Sequence, residues 1–386
     1  MVPVIDPAVV RTFHALLFQW TLYLSLGIAC LLVGRWLLMV LGEHNPEPAL
    51  SLADIRHPWL GLRRFLFHRV GDTPKERLVL WWGLGLLWIL DAVLQAQPAI
   101  PNNGFVQDVL APAVAGQPGW FIPILGWNIQ FWTDYPIGAD VFAVLIEMGI
   151  GICLIVGMDR FAGRLALWTS IVWGMGIWIF GEGMGGILTG SATWLAGSPG
   201  SVVFYIWGAV FLLLPEMWWE SGRIARIARQ GIGLFWLLAA LAQAWPGARY
   251  WSGSSLYSLF FASANMPQPT VMASPMYAMA AAAQIHPFFW NFVFVTVMVV
   301  LGLAYLSNQI NRWTVGLTML WLFFTWWMGQ DFGVMGGVGT DPNSAPVLAL
   351  LTVSVWRMRW KRVGLATGDS AGDSVGGAHT FFTSAR

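Results

Sequence analysis

Residues 85–98, GLLWILDAVLQAQP, return 148 positions later as GLFWLLAALAQAWP (233–246), with eight of fourteen residues identical. The same offset pairs Arg164 with Arg312, Trp173 with Trp321, Trp178 with Trp326, Gly181 with Gly329 and Gly185 with Gly333. One offset holding from residue 85 to residue 185 reads as an internal repeat, not as chance likeness among Leu- and Trp-rich helices.

Composition says what is repeated. The chain has 386 residues, 57% hydrophobic and 10% charged, with a mean hydropathy of +0.63. Soluble domains are about a quarter charged, so this is the composition of a polytopic membrane protein. Many of its 26 Trp lie near the ends of apolar runs, where amphipathic rings favour the headgroup layer. A bilayer core of about 30 Å needs about 20 apolar residues per helix. Nine spans are predicted, at 13–41, 78–97, 138–157, 165–181, 201–218, 231–247, 288–307, 313–329 and 346–357. The fold class is an all-α membrane protein: an N-terminal helix (1–41), a basic connection (42–77), two four-helix units (78–222 and 223–363) and a tail (364–386). Each unit has an even number of spans, so the duplication is parallel and not inverted.

Basic residues orient the spans. Arg56, Arg63, Arg64, Arg69, Lys75 and Arg77 share one side with Arg160, Arg164, Arg223, Arg226, Arg229, Arg312, Arg357, Arg359, Lys361 and Arg362. Only Arg11 and Arg249 fall opposite. The positive-inside rule then puts the N-terminus outside and the C-terminus inside a bacterial-type cytoplasmic membrane. The first span lacks a basic n-region and an A-x-A site, so it is expected to be retained and not cleaved as a signal peptide. The Gly/Ser/Ala-rich tail is expected to be disordered. The Pro-, Gly- and Trp-rich segments 98–137 and 247–287 are expected to form half-helices at the outer interface.

The units resemble the DoxX-like family of four-helix membrane proteins. The likeness rests on GLLWILDAVLQ, on an acid and glycines in the next helix (IEMGIG, 146–151) and on a short basic turn (MDRFAGR, 158–164). Related proteins carry a stretch like GEGxGGxxTGxATDPN. Here it is divided between the copies, as GEGMGGILTGSAT (181–193) and GTDPNSAP (339–346). The resemblance implies a membrane subunit beside a thiosulfate- or quinone-linked oxidoreductase, or a role in redox stress. It brings no catalytic signature.

Ionisable groups at membrane depth are costly and are functional candidates by default. Asp91, Glu147 and Asp140 fall within spans, and the offset of 148 sets Ala239, Val295 and Phe288 against them, while Gln95 meets Gln243. The first copy is therefore the expected active half. Asp91 and Glu147 are read as a protonatable pocket, a cation site, or neutral groups hydrogen-bonded within the fold. Glu182, matched by Gln330, is a candidate at the outer mouth. The spacing G-x-G-x-x-G at 181–186 is not a dinucleotide turn, because it follows a membrane helix and not a strand.

Other signals are weaker. His14 and His286 begin spans on the outer side, and Met266, Met272, Met276 and Met279 share one segment. Either set could be read as metal-binding; padding of apolar surface is the expected role of the methionines. Cys30 and Cys153 lie in apolar segments as packing residues. No nucleophile triad and no P-loop is present, so a non-catalytic subunit is expected. The expected partners are the bilayer and a redox protein, with no nucleic acid, and the candidate cofactor is a quinone. The alternative is a small-solute or proton-coupled permease lined by Asp91, Glu147 and the Gly-rich turn.

Overall fold

The computed structural model describes residues 5–41, 73–158, 160–308, 310–335 and 338–356. Most of the basic connection and the 364–386 tail lie outside the described residues. Among the described residues every regular element is helical. Among the described residues six helices are long and apolar enough to cross a membrane, which makes a multi-pass membrane protein.

The first, α1 (Pro7–Leu41), turns most of the apolar side chains of residues 7–31 outward and touches the rest at Phe13, which packs on Ala92, Val141 and Val144. After it come α2 (Lys75–Gln95), a kinked π-helical segment (Ile100–Leu110), α3 (Ile122–Asp134), α4 (Pro136–Val156) and α5 (Phe161–Gly176). A π turn extends α5 to Gly181, and two 3₁₀ turns lead through the Gly-rich stretch to α6 (Ser201–Leu213). The remainder is α7 (Arg223–Ala244), α8 (Gly253–Ala264), α9 (Thr270–Ile285), α10 (Pro287–Leu306), α11 (Arg312–Met328) and α12 (Ser344–Trp356). The segments 98–137 and 247–287 thus each hold short helices. Of the nine predicted spans, those at α6, α11 and α12 form helices of 13, 17 and 13 residues, short for a full crossing.

Two pairs of helices pack most closely, α2 on α4 and α7 on α10. Lipid is as apolar as Leu, so intimate crossings depend on small residues that let backbones approach. A β-carbon at Gly151 would stand 2.8 Å from the Gly85 carbonyl, and one at Gly302 would stand 3.1 Å from that of Gly233. Around these pairs runs one apolar core, with Trp81, Trp88, Trp194, Trp219 and Trp236 fully buried. Four of these indoles donate their N–H groups, Trp81 to the Leu154 carbonyl, Trp88 to Ser170 Oγ, Trp194 to Thr325 Oγ1 and Trp219 to the Phe211 carbonyl, while Trp236 Nε1 has no partner. Arg229 closes the end of α12 by donating to the Val355 and Trp356 carbonyls at 2.8 Å, which supplies carbonyls that no helical turn can reach.

Candidate functional site

A cavity of about 340 Å³ opens between α2, α4, α5 and the segment that covers them, residues 100–132. Trp88, Phe105, Trp127, Phe131, Trp132, Phe142, Trp173 and Phe180 are aromatic parts of its wall, and Asp91, Gln95, Glu147 and Asp341 are polar parts. No Lys or Arg lines it among the described residues. Ala139 and Ala143 on α4 leave the space open.

Asp91 and Glu147 each keep a buried carboxyl oxygen without a hydrogen-bond partner. Asp91 is 4% exposed, and its Oδ1 has no hydrogen-bond partner. The Tyr205 hydroxyl of α6 stands beside it without closing a hydrogen bond of ordinary geometry. Glu147 accepts from Trp173 Nε1 at 3.3 Å, which leaves its Oε2 unpartnered. Gln95 donates to Asp140 Oδ1 at 2.8 Å across the α2–α4 crossing. Buried oxygens without partners are costly, so a cluster of them facing a cavity marks a place where something polar belongs.

Glu182 sits just past the end of α5. Its Oε1 accepts from the Ser201 backbone N–H and hydroxyl, both at 2.8 Å, and so ties down the first turn of α6. Gly200 makes the room, because a β-carbon there would fall on the Glu182 carboxylate. Burial, with the nearby Asp341 carboxyl adding to it, pushes Glu182 up to about 8 against the pull of the Ser201 bonds. The Asp341 carboxyl is also raised, chiefly by burial, although it accepts from the Asn343 N–H at 2.6 Å.

The same anchoring occurs without a charge at α12, where Gln330 Oε1 accepts from the Ala345 N–H at 3.1 Å. This sets an expectation for two variants. Glu182→Gln keeps an acceptor for the α6 turn and should fold normally. Glu182→Ala strands buried donors and should lose about 2 kcal/mol or more. The sign of the pH effect follows. A carboxyl raised on folding binds a proton in the folded chain and not in the unfolded one between its ordinary value and about 8. Stability therefore falls as pH rises through that window, and the melting temperature in detergent should drop from about pH 5 to about pH 8. Glu182→Gln should flatten that slope; an unchanged slope would remove Glu182 as its source.

The geometry brings together Asp91, Gln95, Glu147 and, through Gln95, Asp140. It sets Glu182 next to Asp341, beyond the cavity. It adds residues that were not foreseen: Asp341, Tyr205, Trp88 and Trp173. Gln243 donates to Asn291 Oδ1 at 2.7 Å, a contact like the one Gln95 makes with Asp140. Both His14 and His286 are exposed, and Met276 and Met279 are buried in apolar surroundings. Among the described residues no three His, Cys, Asp or Glu side chains gather closely enough to hold a metal ion. Compared with protein-family models, curated proteins and solved structures, the chain finds no match.

Proposed function

We propose that this protein holds the polar head of a lipid-soluble ligand of the quinone class, as a non-catalytic membrane subunit beside a redox partner. One observation carries the reading. The cavity wall includes Trp127, Phe131 and Phe142, which are 64%, 43% and 57% exposed on the apolar surface, while Asp91 and Glu147 lie buried with free oxygens. An acid in apolar walls with no base beside it is cheapest to keep as the neutral, hydrogen-donating form. A quinone head offers what that site lacks: a flat apolar ring for the indoles and carbonyl acceptors for carboxyl and phenol donors. The cavity volume suits a ligand of ring size.

The architecture proposed with it is nine spans, N-terminus outside, in a cytoplasmic membrane of bacterial type, with DoxX-like units at 78–222 and 223–363. Matched contacts support the duplication. Trp178 donates to the Pro199 carbonyl and Trp326 to that of Pro342, each at 2.7 Å. Gly185 and Gly333 share positive φ values, 61° and 70°. Ser201 and Ser344 both open helices of 13 residues. The offset is 148 at Gly85 and Gly233, 151 at Gly151 and Gly302, and 143 at these serines, so insertions and deletions fall in the connections.

At the matching place in the second unit the acids are replaced by apolar side chains, although Ala239 and Trp194 also line a separate apolar cavity of about 530 Å³. Ala239, Phe294 and Met298 answer Asp91, Ala143 and Glu147, and Trp194 reaches across to donate to Thr325 Oγ1 at 3.1 Å. This argues against the permease reading, since alternating access by repeats asks for working groups in both halves.

The test is titration of the protein in lipid nanodiscs with decylubiquinone, read by fluorescence of the tryptophans that line the cavity. Quenching should saturate, and Asp91→Ala or Glu147→Ala should weaken it about tenfold, the worth of one buried hydrogen bond. Quenching that is linear and identical in all three proteins would end the quinone reading. Mild-detergent purification with mass spectrometry should recover the redox partner.

A further inference from the structure

A second space of about 310 Å³ lies against the far side of Glu182. Its lining is polar where the first is aromatic: Gln117, Glu182, Thr189, Ser191, Ser198 and Asn343 around the Gly-rich turn. Gln117 is 7% exposed, and both its amide hydrogens go to carbonyls, those of Ala113 and Gly183. Its Oε1 has no partner and lines the cleft. A polar space of this size with unmet acceptors is a place for water.

The cleft and the cavity meet at three groups. Glu182 belongs to the cleft, and its Oε2 is buried and unpartnered. Ser201 donates its hydroxyl to Glu182 Oε1 and stands within hydrogen-bonding reach of Asp341 on its other side. Asp341 belongs to the cavity, within electrostatic reach of both Asp91 and Glu147. A hydroxyl between two carboxyls can accept from one while donating to the other, which is what passing a proton requires. The titratable groups that face Asp91 are Tyr205 from α6, Glu147 from α4, Asp341 and Glu182. No Lys or Arg lines either space among the described residues.

We infer that protons reach the Asp91–Glu147 cavity from the face bearing the Gly-rich turn, through the polar cleft and a Glu182–Ser201–Asp341 relay. Whatever the cavity binds then exchanges protons with that face and not with the face that carries Arg160 and Arg164. The inference does not depend on the ligand being a quinone, and its test uses none.

Dicyclohexylcarbodiimide reacts with protonated carboxyls in apolar surroundings, and peptide mass spectrometry reads the adducts on Asp91 and Glu147. The protein is reconstituted in sealed vesicles. Those with the Gly-rich face outward are selected through an impermeant label on an added cysteine, Ser254→Cys, at an exposed position near the cleft. A short exposure to carbodiimide follows a pH step on one side. Raising the pH on the Gly-rich side should lower labelling of Asp91 and Glu147 at least about fivefold, and the same step on the other side should leave it unchanged. In the double variant Glu182→Gln with Asp341→Asn, labelling should no longer follow the step within the pulse. Its thermal melt and gel-filtration profile, measured alongside, should match those of the parent. Labelling that follows the opposite side, ignores both sides, or responds equally in the double variant would overturn the relay. The decylubiquinone titration stands apart from all three outcomes, so either reading can fail alone.

Discussion

The Ala143→Phe protein is expected to accumulate and melt like the parent and to lose binding of the quinone analogue by at least about 100-fold, near 2.8 kcal/mol. Ala143 is 3% exposed on α4 and lines the cavity beside Glu147. Any large side chain there occupies the ring site. Phe is the informative choice because Phe294 stands at the matching place on α10, fully packed against Phe260, Trp290, Trp321 and Phe324. On the duplicated reading, the other half of the fold already carries this residue. Filling a cavity costs no core contacts, so stability should hold or rise slightly. The two measurements are the melting temperature in detergent and the fluorescence titration. Retained binding would mean that the ligand lies elsewhere; lost folding would mean that α4 cannot take the ring. Asp91→Ala removes a single hydrogen-bonding group and should do far less.

A second large effect is expected at Gly151→Leu, which should cut the folded yield several-fold or more, through a loss of about 3 kcal/mol or beyond. A β-carbon at Gly151 meets Ile89 Cγ1 at 2.6 Å and the Gly85 carbonyl at 2.8 Å. Side chains can rotate away, but the backbone of α2 can only move off as a unit, and with it Asp91 and Gln95 leave α4. Gly149 supplies the control. It lies on the same helix with nothing within 4 Å of where a β-carbon would be, so Gly149→Leu should fold normally. Gel filtration of both variants after identical extraction decides the matter. Equal yields would show that the α2–α4 crossing has more slack than its geometry allows.

Much of this was readable from the chain alone, and the failures have physical causes. Asp91, Gln95 and Glu147 stand out because an acid or amide in an apolar run is costly and rare, whatever surrounds it. Helical content followed from hydropathy. The length of α6 did not: the span read as 201–218 stops at Leu213, where extended Leu214 and Pro215 break the helix, while the stretches read as 313–329 and 346–357 match the bounds of α11 and α12 to within two residues. Asp341 was quoted only as part of a motif; nothing local reveals that residue 341 stands by residue 91. Tyr205 is hidden for a similar reason, since a phenol in an apolar helix resembles any other aromatic.

Asp341 belongs by sequence to the second unit and edges the cavity of the first, while Trp194 belongs to the first and stands at the matching place of the second. On the duplicated reading, this exchange has an ancestral meaning. A single-unit forebear could not have completed its own cavity and would have needed a second copy to lend it the acid, giving a homodimer with two equal sites. Joining the copies in one chain let each inherit half of that bargain. One place kept its acids, and the other was free to become hydrophobic core. Two units expressed as separate chains, cut between Glu220 and Arg223, should therefore find each other in the membrane, and neither should hold the ligand alone.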